Sequence, residues 1–229
     1  SGLHQVKQIQ GREANIMQIK SKQRVANHGE VFTSEREVNS MLDLVKQETE
    51  RIDSRFLEPA CGDGNFLSEI LNRKLAIVKS RYGKRRKECD KYSLVAITSI
   101  YGIELLNDNT EGCRERLFDI YIDWYSAVSK EPENEQLFKC VKYVLSKNII
   151  HGNALTLKTA GQNEKPIIFF EWSFIQNMVK RRCFAFDDLL KNNAIKETPL
   201  SSDLGDDVFL PKTIEEFPLV HYLELTDNV

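Results

Sequence analysis

Two glycines and an acidic residue stand where a short apolar segment meets a helix-forming segment. Residues 55–58 (RFLE) predict a buried strand, and apolar residues recur at helical spacing after Gly64. Gly62 and Gly64 lack side chains, so a ligand can approach the backbone closely there. The free amides at the helix start favour an anionic group. The alternative is an ordinary strand-to-helix turn without a ligand.

Two side chains of this turn narrow the choice of ligand. A dinucleotide-binding turn has a third glycine, and this chain has Leu67 in its place. Glu58, at the end of the predicted strand, repels a pyrophosphate but suits a ligand that carries an ammonium group. S-adenosylmethionine carries both an ammonium group and a carboxylate. The turn therefore favours S-adenosylmethionine over a dinucleotide.

Glu104 and Asn153 end two further predicted strands. Glu104 follows a strand over 99–103, and its carboxylate can accept hydrogen bonds from the two hydroxyls of a ribose. Asn153 follows a strand over 149–150, and its amide can pair with the edge of an adenine. Taken singly, each is equally an ordinary polar residue in a loop. Placed in order after the glycine turn, they predict a nucleoside-binding edge of a sheet.

Helices and strands alternate along the chain. Ser34 and Glu37 form a capping-box pair before a helix over 35–50, and we expect Asn65 to cap the helix after the glycine turn. Further helices are predicted over 88–98, 108–124 and 137–145, and further strands over 166–170, 184–186 and 219–225. This order is typical of an α/β fold with a mostly parallel sheet and helices on both faces. We expect a helical arm over 3–30 and one domain over 31–229.

Composition excludes several classes of protein. The 229 residues are 41% hydrophobic and 29% charged, which is typical of a globular chain, and no apolar run is long enough to span a bilayer. Without a signal peptide, we expect a cytoplasmic protein. The five cysteines and four histidines are spaced too widely to predict a metal site or a disulfide framework. The net charge is −2, but residues 73–91 and 180–182 are basic and either contact phosphates or form solvated surface.

Four segments, in order, resemble the cofactor-binding motifs of gamma-type adenine-N6 DNA methyltransferases. FLEPACGDGNFL resembles the first cofactor motif, and HGEVFTSEREVNSML resembles the segment that precedes it. YGIELLNDN and IIHGNALTL resemble the ribose-binding and adenine-binding motifs. Together they cover about residues 28–157. The resemblance implies a Rossmann-like methyltransferase fold, S-adenosylmethionine as cofactor and DNA as substrate, in a restriction-modification system with a restriction or specificity subunit as partner.

The resemblance also implies a role for each matching residue. Phe32 and Thr33 would flank the methionine end of the cofactor, Glu58 and Gly62 would lie near its amino and carboxylate groups, and Cys61, Gly64 and Phe66 would shape the turn. Glu104 would hold the ribose, Leu105 would lie against the adenine, and Asn153 and Ala154 would meet the adenine edge. The family usually has Asp at position 153, and the Asn here carries no charge.

The catalytic tetrapeptide of the family, Asp/Asn/Ser-Pro-Pro-Tyr/Phe, has no counterpart in this sequence. None of the six prolines is adjacent to another. By position, the candidates to replace it are Glu171 and Trp172, at the end of the predicted strand over 166–170 (PIIFF). Glu171 could accept a hydrogen bond from the target amine, and Trp172 could stack on a flipped base. The alternative is that both residues only pack at the edge of a strand. Three further interpretations stay open: an incomplete or split enzyme, a non-catalytic binding or specificity subunit, and a methyltransferase acting on protein or a small molecule.

Overall fold

A computed structural model of the chain describes residues 33–129, 132–190 and 212–226. Contacts divide the chain into two units, residues 1–37 and 38–229. In the first unit, the Ser34 hydroxyl donates to the Glu37 carboxylate (2.8 Å), and the Glu37 amide donates back to the Ser34 hydroxyl, so the predicted capping box is confirmed. The predicted arm over 3–30 and Phe32 lie outside the described residues.

The described helices and strands follow the predicted order closely up to residue 153. The helices are α1 (Glu35–Asp43), α2 (Lys46–Thr49), α3 (Asn65–Tyr82), α4 (Arg86–Thr98), α5 (Asn107–Val128) and α6 (Glu135–Asn148). The strands are β1 (Phe56–Glu58), β2 (Ile100–Glu104), β3 (Ile149–Asn153), β4 (Lys158–Thr159), β5 (Ile168–Ile175), β6 (Met178–Ala185) and β7 (Thr213–His221). The helix predicted over 35–50 is two shorter helices, because residues 44 and 45 form a turn.

Three parallel strands form the centre of the first sheet, in the order β1-β2-β3, with the two-residue β4 antiparallel at the edge. Glu58 pairs with Gly102, and Glu104 pairs with His151, so the three strands end at the same edge. All five residues of β2 are buried, which requires packing on both faces of the sheet. The α/β architecture is therefore as expected, and its strand ends position the candidate site.

Helix α3 fixes the start of β1 through a buried lysine. Its apolar side is fully or almost fully buried, and each such leucine contributes about 1.5–3 kcal/mol of hydrophobic stabilisation. Lys74 lies on the same side of the helix, and its ammonium donates to the carbonyls of Arg51 (2.9 Å), Ile52 (3.0 Å) and Ser54 (2.6 Å). These three bonds hold the segment that leads into β1.

The later strands correct the sequence-based prediction. PIIFF was expected to continue the mostly parallel sheet, but β5 pairs antiparallel with β6, and β6 pairs antiparallel with β7. Gln176 and Asn177 form a two-residue turn between Ile175 and Met178, with Gln176 at φ 55°, and this turn reverses the chain. The sheet structure is therefore mixed rather than mostly parallel. No helix in the described part of the chain is both long and apolar enough to cross a membrane.

Candidate cofactor-binding site

The glycine turn continues the pairing of β1 with β2 before it enters α3. The Cys61 amide donates to the Ile103 carbonyl (3.0 Å), and the Gly64 amide donates to the Cys61 carbonyl (2.8 Å). Gly62 has φ +54° and Gly64 has φ +91°, a region that favours glycine. Both glycines predicted at this turn are therefore required by its backbone.

The two glycines have different surroundings. A Cβ at Gly64 would lie 2.8 Å from the Sγ of Cys113, so this glycine lets α5 pack against the turn. A Cβ at Gly62 would meet no described atom within 4 Å. Gly62 is therefore the residue that leaves open space beside the backbone for a ligand. The sequence alone suggests that a side chain at Gly64 would block the ligand, but the side chain would first meet Cys113.

Glu104 joins the ends of β1 and β2. Its Oε2 accepts a hydrogen bond from the Gly62 amide (2.9 Å), and its Oε1 accepts one from the Leu106 amide (2.9 Å). The residue is 8% exposed. A carboxylate offers about four acceptor positions in total, so both oxygens retain capacity to accept from the hydroxyls of a ribose. Glu104 therefore orients the glycine turn and lies at the edge of the sheet where β1 and β2 end.

Two residues that the sequence-based prediction did not name support the turn. Arg116 of α5 lies 3.2 Å from the Asp63 carboxylate and donates to the side-chain oxygen of Asn65 (2.7 Å). Gly102 of β2 leaves room for Cys61, because a Cβ there would lie 2.8 Å from the Cys61 Sγ. Neither contact has a signal in the local sequence, since each joins segments that are far apart along the chain.

Within the described residues, no side chain caps the first turn of α3. Asn65 was expected to cap this helix, but it is the first helical residue and its side chain accepts from Arg116 instead. Gly64 occupies the cap position and has no side chain to accept from the first helical amides. A helix start of this kind can bind a carboxylate through its amides and its dipole.

Glu58 supplies the opposite charge at this edge. Partial burial of its side chain raises its pKa, and a hydrogen bond from the Ala60 backbone offsets part of that effect. No described residue forms an ion pair with Glu58, so burial makes its carboxylate costly, and a cationic group would stabilise it. The edge therefore combines an acceptor for an ammonium group with donors for a carboxylate.

The thiol of Cys61 is not a nucleophile in this setting. Its neighbour Cys113 accepts a hydrogen bond from it, and this contact, burial, and the nearby carboxylates of Glu104 and Glu58 all raise its pKa. All five cysteines are buried and free. A protonated, buried thiol serves packing rather than chemistry.

Asn153 forms an Asx turn at the end of β3. Its side-chain oxygen accepts from the amides of Leu155 (2.9 Å) and Thr156 (3.4 Å). The side-chain NH₂ is the group left to face an adenine, and it would donate rather than accept. Nearby, the His151 ring nitrogen Nε2 lies 3.0 Å from the Leu105 carbonyl and fixes the loop after β2.

The remaining predicted site residues have different settings. Leu105 is 46% exposed, as a residue that lies against an adenine requires. Phe66 and Ala154 are half-buried and pack against the core. Thr33 is half-buried and belongs to the first unit.

The two candidates for catalysis lie in the middle of β5 rather than at the end of a strand. The Glu171 carboxylate forms ion pairs with Arg55 (2.9 Å) and Arg182. Trp172 is 6% exposed, and its indole N–H donates to the side-chain oxygen of Asn148 (3.0 Å). In this structure, Glu171 is held between two guanidinium groups, and the ring of Trp172 is inside the protein. Their predicted positions at a strand end were wrong because β5 extends to Ile175 and turns back.

The chain matches the model of a known protein family. The family model described as "MmeI, DNA-methyltransferase domain" matches residues 32–164 of this chain. The chain belongs to the MmeI DNA-methyltransferase domain family. The predicted resemblance to restriction-modification DNA methyltransferases is thereby confirmed at the level of the family. No curated protein and no solved structure matches the chain significantly.

The matched span includes all three strand ends of the candidate site. Residues 32–164 contain the glycine turn, Glu104 and Asn153, and they end before β5 begins. Membership of the MmeI family therefore covers the part of the chain in which the structure brings the predicted site residues together.

Proposed function

We propose that this domain binds S-adenosylmethionine at the carboxyl ends of β1, β2 and β3 and serves in the methylation of adenine N6 in DNA. The order β3-β2-β1 of the three parallel strands is compatible with a Rossmann-like methyltransferase sheet and supports the proposal. The observation that carries the proposal is the Glu104 carboxylate, which holds the Gly62 amide while keeping acceptor capacity for a ribose.

The chemistry of the edge matches the cofactor group by group. Glu58 would face the ammonium group, and the uncapped start of α3 would face the carboxylate. Glu104 would accept from the ribose hydroxyls, and the amide of Asn153 would donate to the adenine edge. Gly62 leaves open space beside the backbone, where the ligand would contact it. S-adenosylmethionine supplies the methyl group on its sulfonium, and the protein contributes by binding and orientation.

Calorimetric titration with S-adenosylhomocysteine tests whether the chain binds the cofactor at this site. The Glu104→Gln variant removes the negative charge and one acceptor, and hydrogen bonds to charged groups contribute about 1.5–3 kcal/mol. We therefore expect the Kd to rise by roughly tenfold to a hundredfold. Glu115→Gln is the control for the charge change, because Glu115 is an exposed carboxylate on α5, outside the candidate site. Equal affinity in the two variants would contradict the assignment of Glu104.

The substrate claim needs a separate assay. Transfer of a labelled methyl group to duplex DNA, followed by hydrolysis to nucleosides, identifies the acceptor atom. The proposal expects label in N6-methyl-2′-deoxyadenosine alone. Label in a methylated cytosine, or in protein rather than DNA, would overturn the assignment to adenine.

A second candidate function is a cofactor-binding domain that receives its catalytic residues from another polypeptide segment. Within the described residues β1 pairs with β2 alone, and its other edge faces a groove of about 540 Å³. Six aromatic residues from β1, β2, β5, β6 and the segment after β6 line this groove: Phe56, Tyr101, Phe169, Phe170, Phe184 and Phe186. In a doubly wound sheet the fourth strand lies beside the first. This candidate expects the chain to bind S-adenosylhomocysteine but to transfer no methyl group alone.

A further inference from the structure

The turn between α3 and α4 concentrates positive charge. Residues 79–91, here called the basic tip, contain seven Lys or Arg residues and two acidic residues, in a chain of net charge −2. The remainder of the chain is therefore clearly acidic and repels a polyanion. A polyanionic partner would meet an attractive field at this tip.

The two acidic residues of the basic tip are already paired with arginines. Glu88 lies 3.5 Å from Arg85, and Asp90 lies 3.0 Å from Arg86. Three other cations of the tip are exposed and form no ion pair with any described residue: Arg81, Lys84 and Lys87. Basic residues in the last turn of α3, such as Arg81, interact favourably with the helix dipole. Lys84 and Lys87 lie beyond the end of α3, so the dipole does not explain their presence.

Stacked tyrosines hold the basic tip in a fixed shape. The rings of Tyr82 and Tyr92 stack with centroids 4.1 Å apart and planes within 8°. Arg85 lies over Tyr82 (5.1 Å), and Lys91 lies over Tyr92 (4.8 Å). The Lys91 ammonium also donates to the carbonyl of Gln176 (3.2 Å) in the β5–β6 turn. Cations held in this way lose little conformational entropy when they bind.

Two grooves border the tip, and the larger of the two lies at the amino ends of β1 and β2. A groove of about 710 Å³ is lined by Arg81 and Lys91 together with Arg51 and Arg55. A second groove, of about 350 Å³, is lined by Lys84 and by residues of α4 and α5. The candidate cofactor site lies at the carboxyl ends of the same strands, so the two surfaces are at opposite ends of the sheet.

We propose that the basic tip is a second DNA contact, which binds the phosphodiester backbone outside the methyl-transfer site. The inference rests on the proposed function, which makes DNA the substrate. Exposed Lys and Arg side chains neutralise phosphates whatever the base sequence, so we expect a contact that is independent of DNA sequence. Its effect is to offset the repulsion between the acidic remainder of the chain and DNA.

Fluorescence anisotropy with a labelled duplex at several salt concentrations tests the contact. The variant Arg81→Ala/Lys84→Ala/Lys87→Ala should reduce the slope of log K against log salt by about 2–3, at roughly 0.9 for each phosphate contact. The loss should be the same for duplexes of unrelated sequence. All three side chains are exposed, so the variant should unfold in urea within about 0.5 kcal/mol of wild type.

Two control variants make the result specific to this surface. Lys139→Ala/Lys165→Ala/Lys212→Ala removes the same charge from exposed positions elsewhere and should retain the slope. Arg81→Lys/Lys84→Arg/Lys87→Arg keeps the charge and should bind like wild type. Wild-type binding by the alanine variant of the tip, or an equal loss in the distant variant, would overturn the proposal.

The cofactor titration separates this proposal from the proposed function. The alanine variant of the tip should bind S-adenosylhomocysteine with wild-type affinity, because the two surfaces lie at opposite ends of the sheet. A wild-type chain that binds S-adenosylhomocysteine but no DNA overturns the basic tip and leaves the cofactor site standing. A chain that binds DNA through the tip but no S-adenosylhomocysteine overturns the cofactor site alone.

Discussion

Alanine at Gly64 should destabilise the domain far more than alanine at Gly62, although both glycines have positive φ. The left-handed backbone costs a non-glycine residue about 1–2 kcal/mol at either position. At Gly64 the new Cβ would also lie 2.8 Å from the Sγ of Cys113, which is fully buried and packed. Overpacking of this kind costs about 1–3 kcal/mol. We therefore expect about 2–5 kcal/mol for Gly64→Ala and about 1–2 kcal/mol for Gly62→Ala.

Urea denaturation of four proteins separates the steric cost from the backbone cost. These are wild type, Gly64→Ala, Cys113→Ala and the double variant. Removal of the Cys113 Sγ should make the Gly64→Ala substitution less costly, with a coupling of about 1–3 kcal/mol. The same cycle with Gly62→Ala should be additive, because a Cβ at Gly62 meets no described atom within 4 Å. Additive costs for Gly64→Ala and Cys113→Ala would refute the reasoning.

Three further outcomes are expected from the buried groups. Burial lowers the pKa of Lys74 to about 7, so the folded protein releases this proton at a lower pH than the unfolded chain does. The free energy of unfolding of wild type should therefore rise relative to that of Lys74→Met as the pH rises from about 7 to about 10. Urea midpoints of the two proteins that change equally with pH would contradict this. Partial burial raises the pKa of the Glu58 carboxyl, so affinity for S-adenosylhomocysteine should begin to fall at a higher pH than the titration of an ordinary glutamate would give. Calorimetry of Glu58→Gln should show a flatter pH profile, and an equally steep one would exclude Glu58 as the partner of the ammonium group. Trp172→Phe removes the bond to Asn148 and leaves a buried oxygen unsatisfied, at a cost of about 1–3 kcal/mol. Cofactor affinity measured by calorimetry should be unchanged in that variant, whereas unchanged stability would show that the bond contributes little.

The first three strands and their ends could be predicted from the sequence because the relevant signals are local. The apolar segment before Glu58, the glycines after it, and the polar residues at 104 and 153 are each adjacent to the strand that they end. A buried parallel strand appears as a short apolar run, so its end is visible in the chain. The structure places Glu58, Glu104 and Asn153 at one edge because the three strands that they end are parallel.

The later strands and the supporting contacts could not be predicted in the same way. The turn at Gln176 and Asn177 lacks the glycine that usually marks a tight hairpin, so PIIFF resembled one more strand of a parallel sheet. Arg116 contacts Asp63 and Asn65 from more than 50 residues away, at a spacing that no periodicity encodes. The Asx turn of Asn153 was also hidden, because an Asn in a loop has the same sequence signal whether its oxygen is free or bonded.

A crystal structure of the chain with S-adenosylhomocysteine tests the central claim most directly. The account predicts that both ribose hydroxyls lie within hydrogen-bond distance of the Glu104 carboxylate, with the ligand carboxylate at the first turn of α3. It also predicts that the ligand passes beside Gly62, with its adenine between Leu105 and Asn153. A ligand bound elsewhere on the domain, or a site left empty at saturating ligand, would contradict the account.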